Sequence, residues 1–504
     1  MSNKIQKQYD NFEAFEHYSK SQQFLIAFRM EEALFEIDNA LNLDPKFAEA
    51  YTLRSEIYEK MNVYDKALEN VNFSISLKNN DTESYYQRAT IYWRKQLFDQ
   101  ALQDCMKCIE INKDFSMGYC RMGTIMKDLK QKNNELKYYN QAIEKDGNCF
   151  QAFICRGLYY MDEQKIDYAL SDFNSAIEIN PKYCLAFYNR GNLFTVCDEI
   201  ENALNDYNQA IQLDPKFAIG YFSRGILYDD IGEIEKALND YNQAIQLDVN
   251  NAKAYHNRGI LYDNIGEKEK ALNDFNQAIQ LDPNDGTIYY NRGILYADIG
   301  EKEKALNDYN QAIQLDPNDA LAYTNRGILY ALIGEKDKAL NDYNQAIQYD
   351  PNNSIAYYNR AIQYYNIGQK DKALNDYNQA IQYDPNNSIA YYNRAIQYYN
   401  IGQKDKALND YNQAIQLDPF FYNAYNGKGV ALQNLKQYQQ AIICFDQAIS
   451  LAPNYVNAYF NKANSLEKLN QYSQAIKTYQ IALILNHPSQ NYIIQTIQLL
   501  RAQL

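Results

Sequence analysis

Apolar residues recur along this chain at helical spacing, and residues 320–353 show the pattern clearly. Tyr323, Gly327 and Tyr330 lie four and three residues apart, which places them on one face of a helix. Polar residues occupy the positions between them. A second set with the same spacing predicts a second helix and comprises Ala339, Tyr343, Ala346 and Ile347.

The ends of both helices are marked by residues that start or stop helices. Asp319 is placed to cap the start of the first helix. Gly334 can take the left-handed conformation that ends this helix, and Asp350 and Pro351 stop the second one. The stretch therefore predicts a helical hairpin.

The hairpin recurs every 34 residues without insertion or deletion, and residues 286–319 and 320–353 match almost residue for residue. A single hairpin cannot bury its apolar stripe alone, so we expect the copies to stack into one elongated domain. We expect residues 1–13 to form a frayed lead and residues 490–504 to form a capping helix. Fourteen units fill residues 14–489 and start at residues 14, 48, 82, 116, 150, 184, 218, 252, 286, 320, 354, 388, 422 and 456.

Seven positions of each unit carry a recognisable motif. In the copy that starts at Ala252 they are Tyr255, Gly259, Tyr262, Ala271, Phe275, Ala278 and Pro283. With these residues the chain resembles the tetratricopeptide repeat family, and the array is similar to the repeat region of O-linked N-acetylglucosamine transferase. The resemblance implies an all-α, right-handed superhelical solenoid of antiparallel helix pairs. It also implies a non-enzymatic scaffold that binds extended peptide segments in its concave groove.

An arginine at the seventh position covaries with an aspartate at the twenty-third. Of the ten repeats with this arginine, nine carry the aspartate, as in Arg190 with Asp206, and none of the other four has it. We interpret the two residues as a structural pair between the helices of one repeat.

Asparagine at the sixth position is not explained by helix propensity, because its amide competes for backbone hydrogen bonds. The resemblance implies that this position faces the groove, where an amide offers both donors and an acceptor to an extended backbone. The alternative is a tolerated, solvated residue that duplication has spread. The candidate residues are Asn189, Asn257, Asn291, Asn325, Asn359, Asn393 and Asn461.

The twelfth and thirteenth positions also face the groove if the resemblance holds. There a basic segment would be attracted by carboxylates and would stack on aromatic rings, although a merely solvated face has the same composition. The candidates are the acidic residues Asp229, Asp230, Asp263 and Asp298 and the aromatic residues Tyr365 and Tyr399.

Composition narrows the class of partner. A net charge of −14 argues against nucleic acid and favours neutral or basic protein segments. The chain has neither the apolar run of a signal peptide at its start nor eighteen consecutive apolar residues, so we expect a cytoplasmic protein, or a nuclear one, with no membrane partner. The oligomeric state is open.

Residues of the chemically reactive types do not form a catalytic or metal site in the sequence. Cys105 and Cys108 form a CxxC pair, but both fall on core positions of the motif. The histidines His17, His256 and His487 are scattered. The sequence therefore predicts no cofactor, no metal and no enzymatic activity.

Two alternatives to a general scaffold stay open. A co-chaperone-type adaptor that captures acidic chaperone termini would resemble the family members with lysine at the fifth position, which here holds residues such as Tyr188 or Phe222. An adaptor subunit for a glycosyltransferase acting in trans is the other alternative.

Overall fold

The computed structural model describes the backbone of residues 2–504 and the side chains of residues 12–504. Within this range helices are the only regular secondary structure, arranged in consecutive pairs with no β-strand. The first helices of the pairs are α1 (Ser2–Ile26), α3 (Ala48–Lys60), α5 (Thr82–Arg94), α7 (Ser116–Asp128), α9 (Phe150–Asp162), α11 (Cys184–Val196), α13 (Ala218–Asp230), α15 (Ala252–Asn264), α17 (Gly286–Asp298), α19 (Ala320–Leu332), α21 (Ser354–Asn366), α23 (Ser388–Asn400), α25 (Tyr422–Asn434) and α27 (Val456–Lys468).

A second helix follows each of these after a turn of three residues, which makes the pair antiparallel. A last helix ends the chain. These helices are α2 (Met30–Leu43), α4 (Tyr64–Leu77), α6 (Phe98–Ile111), α8 (Lys132–Lys145), α10 (Ile166–Ile179), α12 (Ile200–Leu213), α14 (Ile234–Leu247), α16 (Lys268–Leu281), α18 (Lys302–Leu315), α20 (Lys336–Tyr349), α22 (Lys370–Tyr383), α24 (Lys404–Leu417), α26 (Tyr438–Leu451), α28 (Tyr472–Ile484) and α29 (Gln490–Arg501).

The pairs form two compact units, residues 1–254 and residues 255–504. In each unit the helices of a pair pack on each other, and each second helix packs on the first helix of the next pair. Both units are therefore all-α solenoids. The backbone of residues 2–13, for which the sequence predicts fraying, is helical and extends the first helix of the first repeat. At the other end, α29 packs its Ile493, Ile497 and Leu500 on the core of the last hairpin.

The glycine at the eighth position makes room for the aromatic ring at the twenty-fourth. A Cβ atom added to Gly293 would stand 2.8 Å from Cε1 of Tyr309, closer than any relaxed contact. The Tyr309 ring is itself buried between the two helices. The small residue is thus a packing requirement.

The predicted pair between arginine and aspartate is confirmed. Arg190 Nε donates to Asp206 Oδ2 at 2.7 Å and its Nη2 donates to Oδ1 at 2.8 Å, while Asp206 is almost fully buried. The same arginine donates from Nη1 to Asn174 Oδ1 of the preceding repeat at 2.6 Å. One guanidinium therefore ties three helices together, and all nine repeats with the aspartate make the same bidentate pair.

Arg54 belongs to the one repeat that has the arginine but lacks the aspartate. It makes the same contacts, with the positions of the carboxylate and the amide exchanged. Arg54 Nε donates to Asn70, which stands where the other repeats have aspartate. Its Nη1 donates to Asp38 of the preceding repeat, where the others have asparagine. The guanidinium therefore needs one carboxylate and one amide as partners, and either of them can come from the preceding repeat.

The turn inside each hairpin requires a left-handed residue. Gly334 has φ +86°, in agreement with its predicted role as a helix stop. Eight repeats place another residue type there, and Lys436, for example, has φ 62°. Those repeats carry a backbone strain that the glycine repeats avoid.

Candidate functional site

The sixth-position asparagines bind side chains of the preceding repeat. Asn325 Nδ2 donates to the hydroxyl of Tyr290 at 2.9 Å, and Asn393 Nδ2 donates to that of Tyr358 at the same distance. Each tyrosine holds the fifth position of its repeat, so the partners are 35 residues apart. We call such a fifth residue and the sixth residue of the next repeat a junction pair. It links consecutive first helices.

Two further junction pairs use other acceptors. Asn291 Nδ2 contacts His256 Nε2 at 2.8 Å, and Asn461 Nδ2 donates to Asn426 Oδ1 at 3.0 Å. Burial lowers the pKa of His256, so the ring is neutral near pH 7 and Nε2 can accept. Asn291 therefore holds this histidine in the tautomer that carries its proton on Nδ1.

The remaining asparagines differ because the preceding fifth residue differs. Asn359 turns back to its own helix and donates from Nδ2 to the Ile355 carbonyl at 2.9 Å. Its expected partner, Thr324, already donates to Ala320 O and accepts from Asn353 Nδ2. Asn189 and Asn257 make no side-chain hydrogen bond within residues 12–504, and each follows a repeat with an apolar fifth residue.

The sixth-position asparagines form a row along the first helices, and the atom that stays free for a further hydrogen bond is the amide oxygen Oδ1. In the five bonded asparagines Nδ2 is engaged, whereas no described group donates to Oδ1 and none of these oxygens is enclosed by protein. The row therefore presents oriented acceptors to solvent. Within each of the two units, we call the surface formed by positions five, six, twelve and thirteen of its first helices the first-helix face.

The predicted acidic residues differ in whether a lysine forms an ion pair with them. Lys268 Nζ lies 2.7 Å from Asp263 Oδ1 and 3.7 Å from Asp298 Oδ2. Asp263 is thus a paired, half-buried carboxylate, whereas the Asp298 side chain is 58% exposed. Since Asn291 and Asp298 are two turns apart on α17, both belong to one face of that helix.

Asp229 and Asp230 lie side by side at the end of α13 with no lysine or arginine within ion-pair distance among the described residues. Burial raises the pKa of Asp229, and the neighbouring charge of Asp230 raises it further, whereas a hydrogen bond with Tyr241 lowers it. These two carboxylates form the least neutralised part of the predicted acidic lining.

The predicted tyrosines, Tyr365 and Tyr399, lie close to the aromatic residue at the twenty-fourth position of their own repeats. Tyr365 is 38% exposed, and Tyr399 accepts a hydrogen bond from Asn434 Nδ2 at 2.6 Å. Burial raises the pKa of Tyr377 well above its ordinary value, with further contributions from Tyr358 and Tyr365. The fifth and twelfth residues thus lie close to the same buried hydroxyl.

Two features of this face are not apparent from the repeat motif. Arg121, at a sixth position, reaches Tyr86 and Thr90 only at 3.3 and 3.4 Å and lies 4.5 Å from the centre of the Trp93 ring. It forms no ion pair with any described residue, and its Nε has no acceptor. The second feature is the contact of Cys120 with Cys155. Reading fifth and sixth positions 35 residues apart would have found both.

The described residues offer no alternative site of metal-binding type. No group of three or more histidine, cysteine or carboxylate side chains among them could hold a metal ion. Cys105 and Cys108 are fully buried, and burial raises the pKa of Cys105 to about 12. A search of the described helices for a length and apolar character sufficient to span a membrane finds none.

Comparison with known families identifies the repeat. Models described as tetratricopeptide repeat or TPR repeat match residues 82–115, 197–232, 229–266, 252–285, 275–307, 295–334, 320–353, 354–387, 388–421, 422–455 and 444–477. These matches cover more than half of the sequence, and the chain belongs to the tetratricopeptide repeat family. It is therefore a repeat scaffold of the kind that binds other proteins.

Solved structures of other repeat proteins are similar in part. A chain of the structure described as the APC/C hetero-tetramer Cut9–Hcn1 is 15% identical, with a TM-score of 0.46 over 88% of this chain and 95% of that one. YrrB, described as a TPR protein with an unusual peptide-binding site, is 25% identical, with a TM-score of 0.33 over 36% of this chain and 95% of its own. A tetratricopeptide repeat protein from Parabacteroides merdae is 23% identical, with a TM-score of 0.38 over 49% and 98%. The search of curated proteins gave no match.

Proposed function

We propose that the chain binds extended, neutral-to-basic segments of other proteins along the first-helix face. The observation that carries this proposal is the row of sixth-position asparagines, in five of which the Nδ2 atom is held by protein while the Oδ1 atom stays free. An accessible acceptor at a fixed position in successive repeats suits a ligand that supplies regularly spaced N–H donors. The backbone of an extended peptide is such a ligand.

The charges of the same face support a basic ligand. On the face of the first unit Asp229 and Asp230 add further acceptors that carry charge, and on that of the second unit Asp298 does so and is more than half exposed. Lysine or arginine side chains of the bound segment would approach these carboxylates, while the exposed ring of Tyr365 offers a surface for stacking. The net charge of −14 would attract the same class of segment from a distance.

The proposal assigns binding rather than catalysis to this face. Backbone contacts would supply affinity that tolerates different sequences, and the carboxylates and rings would supply preference. The partners are accordingly proteins with disordered or extended basic stretches, in the cytoplasm or the nucleus.

A quadruple substitution tests the asparagine row directly. Replacing four asparagines of α17, α19, α21 and α23 by alanine removes the free acceptors of four consecutive repeats; they are Asn291, Asn325, Asn359 and Asn393. We expect affinity for lysine-rich extended peptides, selected on the unaltered chain from a random library, to fall by tenfold or more, about 1.4 kcal/mol.

The matched control replaces four exposed asparagines between the repeats by alanine, namely Asn284, Asn318, Asn352 and Asn386. Both variants should retain their helical circular dichroism, because neither set lies in the buried core. Equal affinity of the two folded variants for the selected peptides would refute the proposal.

A further inference from the structure

One junction pair consists of two cysteines. Cys120 holds the fifth position of its repeat and Cys155 the sixth of the next, and their Sγ atoms lie 3.9 Å apart. Cys120 is only 5% exposed, whereas Cys155 is half-buried. The two sulfurs join α7 to α9 at the place where other repeats have a hydrogen bond.

We propose that Cys120 and Cys155 are a redox-sensitive pair that a peroxide converts into a reversible disulfide between the fourth and fifth repeats. A disulfide needs an S–S distance near 2 Å, so closure requires the sulfurs to approach by roughly 2 Å. Because the two sulfurs already touch, we expect rotation about the Cα–Cβ bonds, together with a small approach of α7 and α9, to supply this movement. No other pair of cysteine sulfurs among residues 12–504 is in contact.

The surroundings decide which thiol reacts first. The Cys120 thiol donates a hydrogen bond to Cys155 and thereby lowers the pKa of Cys155; burial opposes this shift, and the nearby charges of Arg121 and Lys127 support it. The same hydrogen bond raises the pKa of Cys120. Cys155 is also the more exposed residue of the two, so we assign the first reaction with the oxidant to it.

The reaction balances with a hydroperoxide as the oxidant. The Cys155 thiolate attacks one peroxide oxygen, the O–O bond breaks, and the leaving oxygen takes up a proton to give an alcohol or water. Cys155 is then a sulfenic acid. The Cys120 sulfur attacks the Cys155 sulfur, the S–O bond breaks, and the proton of Cys120 leaves with the hydroxyl group as water. Two thiols are oxidised and one peroxide is reduced.

The bond would act on the first-helix face. At other junctions a hydrogen bond between fifth and sixth residues links the first helices and can yield when the solenoid bends. A covalent bond at this junction would fix α7 against α9. Oxidation would thereby stiffen this part of the first-helix face, beside the guanidinium of Arg121, whose Nε has no acceptor among the described residues.

The test treats the full-length chain with hydrogen peroxide and maps its disulfides by mass spectrometry after digestion. We expect a peptide containing Cys120 joined to one containing Cys155, released by dithiothreitol, in the unaltered chain and in the control variant Cys197→Ser. Cys197 is half-buried and contacts no other cysteine. A different cross-link, or over-oxidation of Cys155 without any cross-link, would overturn the proposal.

Single substitutions test the order of the steps. In Cys120→Ser the reaction should stop at a sulfenic acid on Cys155, which dimedone traps. In Cys155→Ser the thiol of Cys120 should stay reduced under the same treatment. Trapping on Cys120 in place of Cys155 would contradict the proposed roles. Because the cross-link is mapped in the unaltered chain, its detection depends neither on these variants nor on peptide binding.

Discussion

Arg360 binds Asp376 through two parallel hydrogen bonds, from Nε to Oδ2 at 2.7 Å and from Nη2 to Oδ1 at 2.8 Å. The third side of the same guanidinium donates from Nη1 to Asn344 Oδ1 of the preceding repeat at 2.6 Å. Asp376 is 2% exposed, so its charge depends on this arginine for compensation. The pair holds the helices of one repeat together and connects them to the repeat before.

Asp376→Asn should destabilise this repeat. The substitution keeps the shape but removes the charge from a buried, bidentate contact, at a cost of about 1–3 kcal/mol. Native-state hydrogen exchange of the amides of α21 and α22 measures this locally, which suits an array whose repeats open separately. Unchanged exchange in these helices would show that the pair contributes little.

Asn344→Asp should rescue Asp376→Asn. The double variant recreates at Arg360 the arrangement of Arg54, whose carboxylate stands in the preceding repeat. We expect more than half of the lost protection in α21 and α22 to return. The matched control is Asn378→Asp on the same background, because Asn378 binds Arg394 and not Arg360. Equal recovery in both double variants would indicate a general charge effect.

His256→Tyr should make stability less sensitive to acid. Burial lowers the pKa of His256 below its ordinary value of 6.5, so the unfolded chain binds a proton more readily than the folded chain. The stability that depends on a neutral ring is complete above the unfolded pKa and is lost as the pH falls through it towards the folded pKa. Tyrosine does not titrate in this range. It also suits this position, because the hydroxyl of Tyr290 accepts the same kind of hydrogen bond from Asn325.

The measurement is the unfolding midpoint of both proteins at several values between about pH 7.5 and pH 5. The unaltered chain should lose more stability over this range than His256→Tyr. Parallel curves would mean that the contact of Asn291 with His256 does not require the neutral ring.

Gly334→Ala should destabilise the chain by about 1 kcal/mol through backbone strain alone. No heavy atom lies within 4 Å of the place where the new Cβ would stand, so steric overlap cannot explain a loss. The reverse change, Lys436→Gly, should stabilise by a similar amount, since Lys436 holds φ 62°. Denaturant unfolding measures both, and changes of the same sign would contradict this account.

The fold could be predicted from the sequence because each repeat contains its own packing signals. Tyr343, Gly327 and Gly334 act within one hairpin, and the pairing of arginine with aspartate also lies within one repeat. These contacts recur at fixed spacing, so a single sequence reveals them.

The candidate site could be predicted only in part, because its hydrogen bonds cross between repeats. Helices α21 and α23 have identical sequences, yet Asn359 bonds its own backbone and Asn393 bonds Tyr358. The difference comes from the preceding repeat, which supplies Thr324 in one case and a tyrosine in the other. The ion pair of Asp263 with Lys268 likewise cannot be predicted from the repeat motif, because it depends on how α16 starts after the turn.

The central claim is that the free Oδ1 atoms of the sixth-position asparagines accept hydrogen bonds from the backbone of an extended segment. The most direct measurement compares a peptide that binds the chain with the same peptide N-methylated along its backbone, by isothermal titration calorimetry. The account predicts that methylation weakens binding to the unaltered chain by tenfold or more, about 1.4 kcal/mol, and has little effect on the residual binding of the quadruple alanine variant. Equal affinity of the methylated and unmethylated peptides for the unaltered chain would contradict it.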